Sequence, residues 1–256
     1  MNNSKKISPE EIKKIIIKRF NENVKGKIAD TSAANVAHDG REGHWLEAQM
    51  GVDPNASNTP DIMGYEMKNE TTSKTTFGDW SASEYIYKKR EYGINRDRFM
   101  EIFGSNPNGR FSWSGKPVPK IGAFNECGQI LVVDANNNIE AIYSVSRDRR
   151  LNKAQIVPSS MQKENLVIAK WSAIDMKKKV EDKFNNMGWF KCKKNSDGVY
   201  SEIVFGGPIN FESWIKGVKN GSIYFDSGMY QGNSRNYSQW RADNNYWDSL
   251  VIDTYK

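Results

Sequence analysis

Residues 59–70 read TPDIMGYEMKNE and crowd Asp61, Glu66 and Lys68 around a glycine. Along a single strand side chains alternate faces, so Asp61 and Glu66 would point to opposite sides of a sheet. Gly64 changes that geometry. If Met63-Gly64 is a two-residue hairpin turn, Ile62 pairs with Tyr65 and Asp61 with Glu66. Opposed residues share a face with Cβ atoms ~5 Å apart, and Lys68, two positions beyond Glu66, shares that face. The stretch is thereby constrained to a tight hairpin that gathers two carboxylates and an ammonium.

Two carboxylates at that distance repel unless something positive lies between them. A hard divalent cation such as Mg²⁺ takes oxygen ligands and keeps several waters, which suits the pair. Lys68 can then orient an attacking water or stabilise a pentavalent transition state. The spacing matches phosphodiester hydrolysis. The alternative is a solvent-facing hairpin in which Lys68 only pairs with Glu66, since so short a pattern arises by chance.

The other chemistry available is narrow. Two histidines, His38 and His44, exclude a His-rich metal site and disfavour a Ser-His-Asp triad, leaving catalysis to carboxylates and lysines. Cys127 and Cys192 lack metal-ligand spacing, so a reduced cytosolic setting is expected. The start, MNNSKKISPEE, has no apolar signal segment, and no apolar run is long enough to span a membrane. With 37 basic and 31 acidic residues the net charge is +6, a mild bias towards polyanions such as nucleic acid. Eight tryptophans argue for a folded core rather than a basic tail.

Ser8, Pro9 and Glu11 open a first helix as a capping box, and Ile12, Ile15, Ile16 and Phe20 follow at helical spacing. HDGREGHWLEAQMGV reads as a glycine-marked turn and a short helix through Trp45, Leu46 and Met50, and DPNASNTP as a loop. A further short helix is capped by Asn95 and stopped at Gly104. Strands dominate afterwards, with hairpins turning at 136–138 and at NSDG, and a strand NLVIAK. SAIDMKKKVEDKF is an amphipathic helix opened by Ser172 and Asp175, its lysine run read as a solvated face, and another helix runs from Asn210 to about Val218. The class is mixed α/β. The Gly/Pro/Ser-rich stretch 104–120 marks the expected boundary between a catalytic lobe, 1–115, and a DNA-recognition lobe, 116–256, with exchange of segments between lobes allowed.

Asp39, Gly40, Gly43, Leu46, Glu47, Gln49, Gly51 and Val52, followed after a loop by Asp61, Gly64, Glu66 and Lys68, spell D-G-x-x-G-x-x-L-E-x-Q-x-G-V and D-x-x-G-x-E-x-K. This pattern of about thirty residues resembles the PD-(D/E)xK nucleases, most closely the MvaI/BcnI restriction endonucleases, relatives of the mismatch-repair nickase MutH. SKTTF, residues 73–77, is similar to the family's K-x-x-T-x-F continuation, less faithfully. The resemblance implies an α/β restriction-endonuclease-like fold, a mixed central β-sheet flanked by helices, with two lobes forming a DNA cleft. It implies that Asp61, Glu66 and the Met67 carbonyl hold Mg²⁺ (Mn²⁺ able to substitute), that Lys68 is the catalytic lysine, and that Glu47 is a helix-borne acid helping to hold the metal or its waters. The implied activity is type II site-specific cleavage of double-stranded DNA by a monomer nicking each strand in turn. A cognate DNA methyltransferase and a prokaryotic cytoplasm go with it, and no membrane. His44 is read as a packed or capping histidine.

DSGMYQGNSRNYSQWRADNNYW, residues 226–247, is dense in the side chains that read base edges, Arg at guanine and Asn or Gln at adenine. Gln231, Asn233, Arg235, Asn236, Tyr237 and Arg241 are the candidate readers, and Trp240-Arg241 resembles the family's pair at the end of its recognition region. The family's His-Asp element is replaced by Arg235-Asn236, which points to a different recognition sequence. Ser73, Lys74, Lys88, Lys89 and Arg90 are candidate backbone contacts, and Lys116 and Lys120 are placed either at a cleft or in a plain linker. Other readings of the whole are a MutH-like nickase, a DNA-binding module without catalysis, and a hydrolase of small phosphate esters.

Overall fold

The computed structural model describes residues 7–32, 40–52 and 57–256. His38, Asp39 and the start of the DPNASNTP loop lie outside the described residues. The chain divides into two units, one comprising Met1–Thr75, Val180–Asn210 and Asn244–Lys256, the other Thr76–Lys179 and Phe211–Asp243.

In the first unit, α1 (Pro9–Asn23) starts at the expected capping box: the Glu11 amide donates to Ser8 Oγ and the Ser8 amide to the Glu11 carboxylate, with Pro9 in the first turn. α2 (Arg41–Met50) ends at Gly51, whose φ of 71° is left-handed. Both helices turn apolar stripes onto one face of a four-stranded sheet. Its order is β1 (Tyr65–Asn69), β8 (Gly188–Lys194), β9 (Tyr200–Gly206), β13 (Val251–Tyr255), with β1 parallel to β8 and the other pairs antiparallel. Ile12, Ile16, Phe20, Leu46 and Met50 meet Tyr65, Met67, Phe190, Cys192 and Phe205 there in one core cluster. The alternate residues, Glu66 and Lys68 on β1 and Trp189 and Lys191 on β8, point to the other face. That face is covered by the end of α5 (Ala173–Phe184) and by α7 (Asn244–Ser249), through Phe184, Trp189 and Trp247.

The second unit holds an antiparallel sheet ordered β3 (Glu84–Tyr85), β7 (Leu166–Trp171), β6 (Ile139–Asp148), β5 (Cys127–Val133). A three-stranded sheet contains β10 (Ile223–Ser227), β12 (Ser238–Asp243) and β2 (Lys74–Asp79), the chain entering this unit within β2. A short pair joins β4 (Ser112–Trp113) to β11 (Met229–Tyr230). α3 (Arg96–Phe103), α4 (Lys153–Ile156) and α6 (Phe211–Lys219) complete the unit. Trp171, Trp214, Phe225 and Trp240 form a buried aromatic centre with ring centroids 4.7–5.6 Å apart.

Residues 104–120 lie within the second unit: Trp113 is fully buried, its indole donates to Gln129 Oε1 at 2.8 Å, and its strand pairs with Met229–Tyr230. A single cut between 115 and 116 therefore does not separate the units, because β1 finds its partner strand more than a hundred residues later and the C-terminal segment returns to the same sheet. No helix among the described residues is long and apolar enough to cross a membrane.

Candidate active site

The hairpin turn forms at Met63-Gly64, with φ of 47° and 91°. Ile62 and Tyr65 exchange both backbone hydrogen bonds, at 3.0 and 2.8 Å. A Cβ on Gly64 would sit 2.9 Å from Met187 Cγ, and the Gly64 carbonyl accepts from the Met187 amide at 3.0 Å, which ties the turn to the start of β8. Asp61 is thus folded back beside β1, and its Oδ2 accepts from the Met67 amide at 2.9 Å. A strand residue directs its N–H and C=O to the same side. The Met67 carbonyl therefore opens on the edge of β1 that Asp61 borders, away from β8.

Glu66 lies under that edge at 2% exposure. Its Oε1 accepts from Lys68 Nζ at 2.8 Å and pairs with Lys183 Nζ at 2.9 Å. Its Oε2 is buried with no hydrogen-bond partner among the described residues. Burial raises the Glu66 carboxyl pKa against the pull of Lys68 and Lys183. Burial likewise lowers the Lys68 ammonium pKa, against the pull of Glu66, and Nζ sits 5.2 Å from the Phe184 ring centroid. Glu47, half-buried on α2, is raised by burial and by the charge of Asp61, while His44, Lys183 and Lys68 act in the opposite sense. It therefore belongs to the same electrostatic cluster. α2 is held in place from its end: Arg19 Nη1 donates to the Met50 carbonyl at 3.0 Å and Asn23 Nδ2 to that of Gln49 at 3.2 Å.

The donors are two carboxylates, a strand carbonyl and a nearby third carboxylate, all oxygen, with one buried oxygen atom lacking a hydrogen bond. This set fits a hard divalent cation that retains waters, rather than a transition metal wanting nitrogen or sulfur. No three His, Cys, Asp or Glu among the described residues form a ready metal cage. His44 is exposed one turn before Glu47.

Lys183 escaped the sequence reading, which put the α5 lysine run in solvent. It follows Met176 by seven and Val180 by three positions, and both are buried, so it falls on the inward stripe of the helix. A helical wheel separates it from the exposed Lys177 and Lys178.

The candidate readers lie in the second unit. Arg235 is exposed; its Nη2 pairs with Asp79 Oδ2 at 2.8 Å and its guanidinium lies 5.0 Å from the Tyr237 ring centroid. Arg241 is half-buried beside Asp226 at 3.3 Å and donates to Gln239 Oε1. Trp240, beside it in the chain, is wholly buried, because inward positions alternate with outward ones along β12. Gln231 and Asn233 have both ends of their amides engaged within the protein: Gln231 with the Phe111 amide and Glu101, Asn233 with Arg96 and the Gly228 carbonyl. Asn236 accepts from Arg96 Nε at 2.8 Å. Of the candidate backbone contacts, Ser73, Lys88, Lys89 and Arg90 are exposed and Lys74 is half-buried; Lys116 and Lys120 are exposed.

Comparison with known proteins accords with this architecture. The family model described as LlaMI restriction endonuclease matches residues 24–255. The type II restriction enzyme ScrFI of Lactococcus lactis subsp. cremoris is 49% identical over 267 residues, spanning 95% of this chain and 98% of that protein. Among solved structures, restriction endonuclease MvaI in complex with cognate DNA superposes with a TM-score of 0.60 over 100% of this chain and 98% of its own, at 13% identity. That likeness is one of fold, the PD-(D/E)xK fold. Type II restriction endonucleases generally use a divalent metal ion. The chain belongs to the LlaMI restriction endonuclease family and is a type II, sequence-specific DNA endonuclease.

Proposed function

We propose that this endonuclease hydrolyses phosphodiester bonds of duplex DNA in a Mg²⁺-dependent reaction at Asp61, Glu66, Lys68 and Glu47, as a monomer that nicks the two strands in turn. The observation that carries this reading is the buried Glu66 Oε2, without a hydrogen-bond partner among the described residues, beside the folded-back Asp61 carboxylate and the outward Met67 carbonyl. Glu66, Asp61 and the Met67 carbonyl would hold Mg²⁺, or Mn²⁺ in its place, and Glu47 would orient its waters. When bound, the ion supplies a Lewis acid that neutralises phosphate charge and acidifies water. Lys68, held between Glu66 and Phe184, orients the attacking water and offers positive charge to the transition state. Its lowered pKa eases release of a proton at Nζ.

Arg235, Tyr237 and Arg241 are proposed to read base edges, with Gln231, Asn233 and Asn236 shaping the segment that presents them. Ser73 and Lys74, with Lys88, Lys89 and Arg90, are proposed to touch phosphates, which fixes register without reading sequence. A cognate methyltransferase in the same host follows, because the host's own copies of the site need protection.

A digest of a sequenced plasmid with Mg²⁺ tests the reading. Open circles should accumulate before linear product, cuts should map to one short sequence, and Asp61→Ala or Lys68→Ala should abolish cleavage while specific binding survives. Normal cutting by either variant would sink the assigned site. Product arrested at the open circle would favour a MutH-like nickase.

A further inference from the structure

Arg96 stands at the first position of α3, directly after the Asn95 cap, in a helix whose buried face is Phe99, Met100, Ile102 and Phe103. It is half-buried and forms no ion pair with any acidic side chain among the described residues. All of its hydrogen bonds run to one segment, residues 230–236. Nε donates to Asn236 Oδ1 at 2.8 Å. Nη1 donates to the carbonyls of Tyr230 at 3.3 Å and Asn233 at 2.5 Å. Nη2 donates to Asn233 Oδ1 at 2.6 Å and to the carbonyl of Arg235 at 2.7 Å. A guanidinium has five N–H donors in a rigid planar fork, and here that capacity is used on a single loop.

Other hydrogen bonds hold that loop one residue at a time: the Gln231 amide donates to the Phe111 carbonyl at 3.0 Å, the Gln231 side chain bonds the Phe111 amide and Glu101, and Ser81 Oγ donates to the Asn236 carbonyl at 3.0 Å. Arg96 ties Tyr230, Asn233, Arg235 and Asn236 to one centre. Between β11 and β12 the loop carries Gly232 at a φ of 96° and a run of polar residues, so its backbone is free of a strand partner over most of its length. The carbonyls that Arg96 gathers, of Tyr230, Asn233 and Arg235, are spread along the loop, and bringing them together around one positive plane sets the direction in which the intervening side chains leave. Arg235 is the clearest case. Its carbonyl is fixed by Arg96 from inside, while its side chain is held outside by Asp79 at 2.8 Å and by the Tyr237 ring.

We infer that Arg96 is a positioning residue for sequence specificity: it holds loop 230–236 in the shape that presents Arg235 and Tyr237 to base edges, and does not itself touch DNA. This rests on the proposal that the 230–241 segment reads sequence. Bidentate base contacts tolerate little misplacement, and each good one is worth a discrimination of about 10- to 100-fold against a wrong base. Losing the fork should therefore cost discrimination of that order and leave attraction to phosphates unchanged.

The test uses the full chain with Arg96→Met and Arg96→Lys, and duplexes carrying the mapped site or each single-base change. Expected in both variants is a fall of about 10- to 100-fold in the ratio of cleavage rates, cognate over best near-cognate. Affinity for a duplex without the site, and its dependence on salt, should stay at the wild-type level. Lysine keeps the charge without the fork, so it should resemble methionine; a wild-type ratio in Arg96→Lys would overturn the inference. Amide exchange should speed up within residues 228–237 and not in β10 or β12, whereas a general loss of stability would speed both and would also overturn it. Arg235→Ala and Arg241→Ala make the control. If they keep the wild-type ratio, the segment is not a reader and the underlying proposal fails. If they lose it while Arg96→Met keeps it, only the inference about Arg96 fails.

Discussion

Asp148 is a carboxylate with no exposed side-chain surface, and both of its oxygens are engaged: Oδ1 by the amide and Nε of Arg150 at 3.0 Å, Oδ2 by Arg150 Nη2 at 2.7 Å and by the Tyr143 hydroxyl at 3.0 Å. Burial alone would raise its pKa; the Arg150 bonds and charge outweigh burial, and the net shift is downward. A carboxylate depressed in the folded state stabilises above its unfolded pKa, ~3.9, and loses that contribution as pH falls through the lower folded value. Asp148→Asn should therefore cost about 3 kcal/mol near neutral pH, and its stability should fall less steeply than the wild type's below about pH 4, both read from urea titrations at a series of pH values. Equal acid limbs would show that Asp148 is not the group responsible. At the candidate site, the residues legible in the sequence were those close together along the chain, Asp61, Glu66, Lys68 and Glu47. Lys183 and, in the second unit, Arg96 were not, because their contacts are made across more than a hundred positions. Lys183→Met should slow cleavage about 10- to 100-fold at saturating Mg²⁺, the usual effect of removing a group that orients a metal ligand. Cleavage at the full rate would mean that the second ammonium only packs.

At the scale of elements, the turn at Met63-Gly64 is the piece on which the site depends. Alanine at position 64 would adopt a left-handed φ, costing about 1–2 kcal/mol, and would press its Cβ against Met187 Cγ, 2.9 Å away, and Asn186. The turn would have to open, and Asp61 would leave the Met67 amide. Gly198, in the NSDG turn of the β8–β9 hairpin, offers a control: its φ is 78° but nothing lies within 4 Å of an added Cβ. Gly64→Ala and Gly198→Ala should both lose stability in denaturant titrations, and only Gly64→Ala should lose cleavage at a temperature where both stay folded. Equal cleavage would detach the turn from catalysis. Elements of this kind were readable because their determinants are local. The capping box of α1, the Asn95 cap of α3, the β5–β6 turn with Asn137 at a φ of 63°, and the β8–β9 hairpin all announce themselves within a few residues. The segment proposed to read DNA was legible in composition alone, which does not give the hydrogen bonds that Gln231, Asn233 and Asn236 make within the protein.

On the scale of the whole molecule, local signals no longer suffice. The Gly/Pro/Ser punctuation of residues 104–120 is real, but it belongs to turns around the two-residue strand β4, which a buried tryptophan anchors. What separates the units is strand pairing, and the pairs that matter are remote: β1 with β8, β4 with β11, and β9 with the C-terminal β13. A break at 115/116 would thus cut both units. The fragment 1–115 keeps β1, α1 and α2 but lacks β8, β9 and β13, so the apolar faces of both helices have no sheet to cover. The fragment 116–256 keeps β7, β10 and β12 but lacks β2, β3 and β4, the strands that pair with them or with β11. Each fragment alone should therefore show weak helical circular dichroism and no cooperative thermal transition. Mixed and refolded together, they should recover helix content and cleavage in proportion to the less abundant fragment, because folding of each unit then becomes an association reaction. A cooperative transition in fragment 1–115 by itself would mean that β1 and the two helices close a core without β8, and the interleaving of the chain would then be a consequence of folding rather than a condition for it.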